Sequence, residues 1–147
     1  MDEQQKIDDW LAALLANLEP AARTRMLREV ARDARRIQQQ NMTAQRAPDG
    51  TAWEPRRMSA RTKQGRVKRK MFTKLKTAKY LKAKANASQA EVRFTGQVQR
   101  IARVHHYGLR DRVSRGGPKV RYAARVLLGV SGEVETTVQE ALVRWLR

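Results

Sequence analysis

The chain has 147 residues and a net charge of +18, and its length fits a single domain. It contains no cysteine, which excludes disulfides and thiolate metal sites. No stretch approaches the roughly 18 consecutive apolar residues of a membrane span. The chain starts acidic and polar, whereas a secretory signal starts with basic residues and an apolar run. We therefore expect a protein that is made and kept in the cytosol until it is assembled.

The positive charge is concentrated in the middle of the chain. Residues 55–90 carry 13 basic and no acidic residues, and residues 91–125 carry nine basic and two acidic residues. Residues 1–54 and 126–147 each have a net charge of −1. Because so much unopposed charge repels itself, the pattern indicates a negatively charged partner for the middle of the chain.

The first two predicted elements are helices, at about residues 4–18 and 20–44. Pro20 suits the first turn of the second helix. The apolar stripe of the first helix is formed by Ile7, Trp10, Leu11, Leu14, Leu15 and Leu18. The stripe of the second is formed by Leu27, Val30, Ala31, Ala34 and Ile37. We interpret the pair as a helical hairpin that buries both stripes, although a swapped or intermolecular pairing fits the pattern equally well.

A loop is predicted at residues 46–58. Pro48, Asp49 and Gly50 form a turn signal, because proline presets φ and glycine tolerates positive φ. Trp53 follows directly. A tryptophan in this position is expected to fill a core or an interface.

A basic, flexible arm is predicted at about residues 55–70. Its many lysines and arginines are interleaved with small polar residues, and only Met58 and Val67 are sizeable and apolar. Too little apolar surface is available to offset the entropy of ordering such a segment. We therefore expect the arm to be disordered in the free monomer and to be ordered by a partner.

The next predicted elements are a short helix and a β-hairpin. Residues 71–79 fit a helix with Phe72 and Leu75 pointing inward. Residues 81–85 and 90–94 alternate between apolar and polar side chains around a turn. This alternation predicts an antiparallel hairpin with one buried face.

The last third of the chain is predicted to contain a helix, a loop, a strand and a second helix. Residues 97–107 fit a short helix closed by Gly108, and residues 109–120 fit a polar, basic loop. Residues 125–130 are a short apolar run typical of a buried strand. Ser131 can cap the C-terminal helix. That helix carries its stripe at Val134, Val138, Ala141, Leu142 and Trp145.

Together these elements predict an α+β fold within one domain, residues 1–147. Its parts are the N-terminal helical hairpin, a small antiparallel sheet made of the β-hairpin plus a further strand, and a C-terminal amphipathic helix.

Catalysis and metal binding are not expected. His105 and His106 are adjacent, so their side chains point apart in a helix or a strand and rarely share a metal ion. No third ligand is close in sequence. The sequence has no nucleophile motif and no phosphate-binding loop, and its carboxylates are sparse. We expect no catalytic residue, no metal and no cofactor.

The basic stretch at residues 56–84 is the strongest physical signal. It is either a solvated arm or, as we favour, a surface that docks electrostatically onto a partner protein or DNA. A duplex-DNA-binding protein using residues 56–84 remains an alternative, and its affinity would fall steeply with salt. Only Phe72 and Tyr80 are aromatic in this stretch, which disfavours a single-strand stacking platform. The docking candidates are Arg56, Arg57, Arg61, Lys63, Arg66, Lys68, Arg69, Lys70, Lys74 and Lys76.

Several segments, in this order and spacing, resemble the phage virion morphogenesis family. They lie at residues 48–55, 71–75, 92–96, 100–108 and 122–129. The resemblance covers nearly the whole chain. The residues that carry it, which we interpret as structural, are Pro48, Asp49, Gly50, Trp53, Phe94, Gly96, Ala102, His105, Gly108, Arg125, Leu128 and Gly129. The chain departs from the family at Ala124, where a proline is usual.

The resemblance implies a non-enzymatic role late in tail assembly, in which the tail is completed and becomes competent to join a DNA-filled head. It implies contact with other tail or neck proteins, such as the tail tube, the tail terminator or the head–tail connector, and leaves contact with phage DNA open. It places the protein in the host cytoplasm during assembly and then in the virion. Since phage tails have six-fold symmetry, it also implies a ring, most simply a hexamer. Candidate subunit or core contacts are Trp10, Leu14, Leu142 and Trp145.

Overall fold

The computed structural model describes residues 2–16, 18–56, 70–113 and 115–145. The described helices are α1 (Glu3–Ala16), α2 (Pro20–Thr43), α3 (Gly96–Tyr107) and α4 (Gly132–Trp145). The described strands are β1 (Leu81–Ala85), β2 (Ala90–Phe94), β3 (Arg110–Arg112) and β4 (Lys119–Arg121). The predicted α+β class, with helices at both ends of the chain, is confirmed.

Helix α2 is the centre of the fold. Its 24 residues begin at Pro20, whose fixed φ suits a first turn. One face is buried and packs against β1, β2 and α4. The buried apolar residues of this face are Met26, Val30, Ala31, Ile37 and Met42.

Helix α1 has almost the predicted bounds, Glu3–Ala16 against residues 4–18. Each of its side chains that the structure describes is exposed, and Trp10 is 60% exposed. The main partners of α2 are β1, β2 and α4, and α1 is not among them. The stripe of α2 is therefore buried chiefly by the β-hairpin and the C-terminal helix.

The first β-hairpin is confirmed with its predicted bounds. Strands β1 and β2 pair antiparallel, with Leu81 opposite Phe94 and Ala83 opposite Val92. Leu81 and Phe94 are buried against α2, as the alternation of the sequence requires. In the turn, the side chain of Asn86 accepts hydrogen bonds from two backbone N–H groups.

Two predictions for the polar and apolar stretches near the C-terminus were wrong. The predicted loop at 109–120 contains a second hairpin, in which β3 pairs with β4. Its alternation is too short, and its faces too polar, to be read from sequence. The predicted strand at 125–130 is extended but pairs with neither hairpin. Only alternate residues along it, Arg125 and Leu127, are buried.

The predicted helix at 71–79 is a series of turns instead. Phe72 has a φ of +61°, in the left-handed region that a right-handed helix excludes. The inward residues were predicted correctly, since Leu75 is buried and Phe72 is half-buried. The predicted arm at residues 57–69 lies outside the described residues.

The main core lies between the end of α2, the first hairpin, α3 and the extended segment 123–129. Its buried residues are Met42, Ala47, Trp53, Met71, Leu75, Leu81, Phe94, Val98, Ala102 and Leu127. The expectation that Trp53 fills a core is confirmed, because only 7% of it is exposed. None of the described helices is both long and apolar enough to cross a membrane.

Candidate docking site at the root of the basic arm

The extended segment 123–129 is held by side chains from three distant parts of the chain. The indole N–H of Trp53 donates to the carbonyl of Val126 (3.0 Å). The backbone N–H of Leu127 donates to Nδ1 of His106 (3.2 Å). The carbonyl of Gly129 accepts from the Gln38 amide (2.7 Å). These bonds replace the sheet ladder that the segment lacks.

Two glycines allow the close approach of other elements to this segment. Gly108 ends α3 with φ +68°, and a Cβ there would lie 2.8 Å from the backbone N of Ala124. A Cβ at Gly129 would lie 3.0 Å from Cγ of Pro48. A side chain at either position would push the packed backbones apart.

Most family-signature residues therefore meet at one place. Pro48, Trp53 and Gly108 contact the extended segment directly, and His105 accepts a backbone hydrogen bond from Arg125 at 2.8 Å. The remaining signature residues belong to the core beneath the segment, to the turn before Trp53, or to the start of α3: Asp49, Gly50, Phe94, Gly96, Ala102 and Leu128.

Arg125 anchors the chain where the basic arm begins. Its side chain is buried, with 7% of the residue exposed, and it donates through Nε to the carbonyl of Glu54 (2.8 Å) and through Nη2 to that of Pro55 (3.1 Å). Burial lowers the pKa of Arg125, the Glu54 carboxylate opposes this effect, and the Arg56 guanidinium adds to it. A guanidinium keeps its charge at neutral pH, so these are charge-assisted hydrogen bonds.

Gln45 anchors the chain where the basic arm ends. Its amide group donates to the carbonyl of Met71 (2.9 Å), and its side-chain oxygen accepts from the N–H of Met71 (2.8 Å). Gln45 itself has a φ of +57° just after α2. Nothing in the local sequence marks it, because its partner is 26 residues away. We call residues 54–56 and 70–71, held by Arg125 and Gln45, the arm root.

A row of aromatic rings lies beside the arm root. Centroid distances are 5.4 Å from Trp53 to Phe72, 4.9 Å from Phe72 to His105, and 4.7 Å from His105 to Tyr122, all edge-to-face. Burial lowers the pKa of His105, and the Arg125 charge lowers it further against the opposing effect of Asp111. The imidazole is thus neutral at pH 7.

A cavity of about 300 Å³ opens between this aromatic row and the arm root. Its charged lining residues are three arginines and one carboxylate, and three rings lie beside them: Arg56, Arg121, Arg125, Glu54, Phe72, His105 and Tyr122. Nδ1 of His105 has no hydrogen-bond partner within the described residues. Across the same residues, no three histidines or acids are grouped to hold a metal ion. With three arginines against one carboxylate, the charge of the lining is positive on balance.

The described docking candidates fall into two groups. Arg56 and Lys74 are exposed at and near the arm root. Lys70 and Lys76 converge on Thr43, with Nζ 3.4 Å from its carbonyl and 2.8 Å from its hydroxyl, respectively. There the two ammonium groups also stabilise the negative end of the α2 dipole. The other candidates lie outside the described residues: Arg57, Arg61, Lys63, Arg66, Lys68 and Arg69.

The predicted subunit or core contacts near the two ends of the chain lie in different environments. Trp145 donates its indole N–H to Glu29, whose other oxygen pairs with Arg144 at 2.6 Å, so α4 is tied to α2 within one chain. Leu142 is half-buried in α4. Trp10 is exposed. The side chain of Leu14 lies outside the described set.

The chain belongs to the phage virion morphogenesis family, whose model matches residues 2–147. The family resemblance seen in the sequence is thereby confirmed. More particularly, the chain is similar to tail completion protein S of Escherichia phage P2, with 41% identity over 148 residues that cover 99% of each chain. No solved structure matches.

Proposed function

We propose that this protein is a non-enzymatic structural component of a phage tail, which completes the tail and makes it competent for head–tail joining. The observation that carries the proposal is its end-to-end similarity to a tail completion protein. In this role it acts in the host cytoplasm during assembly and remains in the virion. Its partners are tail and neck proteins, namely the tail tube, the tail terminator or the connector.

The arm root supports docking as the mechanism. Arg125 fixes the backbone at residues 54–55, and Gln45 fixes it at Met71. Between these points the sequence carries Arg56 and seven further basic residues, with no acid. Both ends of this cationic segment are thus held on the described part of the fold. That arrangement favours a negatively charged surface on the partner.

We further infer that the protein works as a homo-oligomeric ring, with a hexamer as the simplest case. A factor that closes the end of a cyclic tube matches it best with the same rotational symmetry. A ring also presents one arm root per subunit, so that weak electrostatic contacts add through multivalency.

The test is complementation of a phage whose own copy of the gene is inactivated. The test variant carries Glu in place of Arg56, Lys63, Lys68 and Lys74. The control variant carries Glu in place of four exposed arginines elsewhere, Arg25, Arg28, Arg32 and Arg110. Both change the net charge by the same amount. We expect the test variant to fold normally and to lower the titre at least about a hundredfold, since several docking contacts become repulsive, while the control retains titre.

A normal titre from a folded test variant would show that electrostatic docking through the arm is wrong.

A second experiment asks whether DNA is the partner. The affinity of the wild-type protein for duplex DNA is measured at 50 and 200 mM salt. A loss of about a thousandfold in affinity between these concentrations is typical of phosphate contacts. No binding to DNA, together with binding to isolated tails, supports a protein partner.

A further inference from the structure

The second hairpin carries all the cations of its two strands on one face. In the register of β3 and β4, Arg110 lies opposite Arg121, and Arg112 lies opposite Lys119. Residues directly opposite each other share a face of the ribbon, and so do residues two apart along a strand. The four side chains therefore lie on the same face, and all four residues are exposed. We call this set, Arg110, Arg112, Lys119 and Arg121, the cationic face.

The other face of the hairpin is turned toward the fold. Asp111 and Val120 alternate with the cations and are half-buried. Asp111 pairs with Arg100 of α3 at 2.6 Å, and Val120 lies in the lining of the arm-root cavity. Arg121 also borders this cavity, so the cationic face adjoins the arm root.

The charge of the cationic face is not neutralised within the described part of the chain. None of the ion pairs found there involves its four cations. Asp111 has its pKa lowered first by the hydrogen bond from Arg100 and last by the more distant charge of Lys119. Arg112 uses one of its donors to hold the turn, through the carbonyl of Gly117 at 3.1 Å. Since like charges directly opposite each other destabilise a ribbon, an anionic partner would relieve this repulsion.

We propose that the cationic face binds the phosphate backbone of double-stranded DNA. Its Cα positions are about 5 Å apart across the strands and about 7 Å apart along them. A duplex carries one phosphate charge per about 1.7 Å of its axis, so it can neutralise cations that lie this close together. Three of the four cations are arginines, whose guanidinium groups match the geometry of phosphate oxygens.

An acidic protein surface fits the cationic face less well than DNA does. Protein interfaces depend on apolar and aromatic anchors, and their centres are depleted of charge. The cationic face holds no apolar side chain, because Val120, the apolar residue of the two strands, belongs to the other face. Contacts to phosphates carry no sequence information, so we expect binding without sequence preference.

The test compares variants of the full-length protein, because the wild type has a second cationic surface in its arm. The ribbon variant carries Arg110→Gln, Lys119→Gln and Arg121→Gln, and it keeps Arg112 to hold the turn. Two control variants lose the same charge elsewhere. One carries Arg25→Gln, Arg28→Gln and Arg32→Gln on the exposed side of α2, and the other carries Arg56→Gln, Lys63→Gln and Lys68→Gln in the arm. Affinity for a short duplex of arbitrary sequence is measured by fluorescence anisotropy between 50 and 200 mM NaCl.

We expect the ribbon variant to lose at least about a hundredfold in affinity at about 0.1 M NaCl. The slope of log affinity against log salt should become shallower by about 3, since three phosphate contacts are removed. Each control should lose less than about fivefold, because screening weakens charges that do not touch the DNA. A wild type that does not bind the duplex at the lowest salt, or a ribbon variant that binds as tightly as either control, overturns the proposal.

Hydrogen exchange of the wild type maps the contact without any substitution. The duplex should slow exchange of the backbone amides in residues 110–121 and leave residues 25–32 of α2 unchanged. Protection that omits residues 110–121 would place the DNA elsewhere and overturn the assignment.

Poly-glutamate distinguishes DNA from an acidic protein as the partner. Its charges lie about 3.5 Å apart along an extended chain, about twice the spacing of the charges in a duplex. At equal concentration of charge, it should displace labelled DNA at least about tenfold less effectively than unlabelled duplex does. Equal competition would mean that the cationic face accepts acidic protein as readily, and the assignment to DNA would be wrong.

This DNA contact goes beyond the proposed function, and the two fail separately. A wild type that restores phage titre without binding DNA removes the contact and leaves tail completion standing. A protein that binds DNA through the cationic face but restores no titre does the reverse. The control variant of the titre experiment changes Arg110 alone among the four cations, so it keeps the other three.

Discussion

Trp53 connects the turn at residues 48–50 to the extended segment 123–129. Its ring lies in the core, and its N–H donates to Val126. Trp53→Ala should lower the free energy of unfolding by about 3–5 kcal/mol, the range for buried aromatic deletions. Trp53→Phe keeps most of the packing and should lose about 1–2 kcal/mol, chiefly the hydrogen bond. Chemical denaturation monitored by circular dichroism measures both changes.

Trp10→Ala is the matched control for this prediction. The same residue type is removed from an exposed site, so the stability of the monomer should change by less than about 0.5 kcal/mol. Equal losses at the two tryptophans would mean that Trp53 does not hold the extended segment as the structure indicates.

Arg125 is buried because its two donors satisfy two backbone carbonyls at the arm root. Arg125→Lys keeps the charge but replaces the planar fork of donors with a single ammonium group. We expect a loss of about 1.5–3 kcal/mol in unfolding free energy and faster proteolytic cleavage near residues 54–56. Arg121→Lys, at an exposed neighbour, should change neither measurement. An unchanged cleavage rate in Arg125→Lys would contradict its anchoring role.

At the scale of single elements, alanine substitutions at the two ends of α3 are expected to have opposite effects. Gly96 is the first residue of this helix, and Gly108 follows its last residue. Gly108→Ala places a Cβ in the left-handed region and against the backbone of Ala124, so we expect a loss of more than about 1 kcal/mol. Gly96→Ala meets open space at the first residue of the helix and should be neutral or stabilising by up to about 1 kcal/mol. Thermal melts of the two variants give the comparison. Similar effects at both sites would refute the close approach at Gly108.

Trp145 and Arg144 of α4 both contact Glu29 of α2. This tie between the helices should make the free energy of unfolding depend on pH. The hydrogen bond from Trp145, and then the one from Arg144, hold the pKa of Glu29 below its ordinary value of 4.5. The tie therefore stabilises the fold above pH 4.5 and is lost as the pH falls through the lower pKa of the folded state. Since 37% of the Glu29 side chain is exposed, the effect is about 0.5 kcal/mol.

The measurement compares the unfolding free energies of the wild type and Glu29→Gln at pH 7 and at pH 3. Other carboxylates titrate alike in both proteins and cancel. The advantage of the wild type should shrink by about 0.5 kcal/mol at the lower pH. An advantage that is the same at both pH values would mean that the tie does not form in solution.

Local elements could be predicted from the sequence where a pattern was long enough. The alternation at 81–85 and 90–94 defined the first hairpin, and Gly108 marked the end of α3. The second hairpin was missed because its strands have only three residues each, and most of these are charged. They are too short to show the alternation of apolar and polar residues that marks a strand. The extended segment at 125–130 was mistaken for a strand because an apolar run shows burial and does not show what pairs with it.

The candidate site could be predicted only in part, for the same reason. The charge of the arm is visible in composition, but the anchoring of its ends depends on pairs far apart in sequence. Arg125 reaches a carbonyl 71 residues away, and Gln45 reaches a backbone N–H 26 residues away. Such contacts follow from the tertiary fold and leave no local signal.

At the scale of the whole molecule, a ring must overcome the repulsion between its subunits. Each chain carries a charge of +18, and the centres of two such domains in contact lie roughly 30 Å apart. In water their repulsion is about 40 kcal/mol without screening. Screening leaves roughly a third of it at 0.01 M salt and about 1 kcal/mol at 0.15 M. A single exposed ion pair between subunits offers at most about 1 kcal/mol in return.

The long-range repulsion is therefore the larger effect at low salt, and we expect added salt to promote assembly. The mass of the wild-type protein at a fixed concentration should rise between 0.01 and 0.3 M NaCl, whereas binding to DNA would weaken over the same range. A variant with Glu in place of four arm cations, Arg56, Lys63, Lys68 and Lys74, has a charge eight units lower and should assemble at lower salt than the wild type. If salt instead dissociates the wild-type oligomer, short-range ion pairs between the subunits outweigh the long-range repulsion between them.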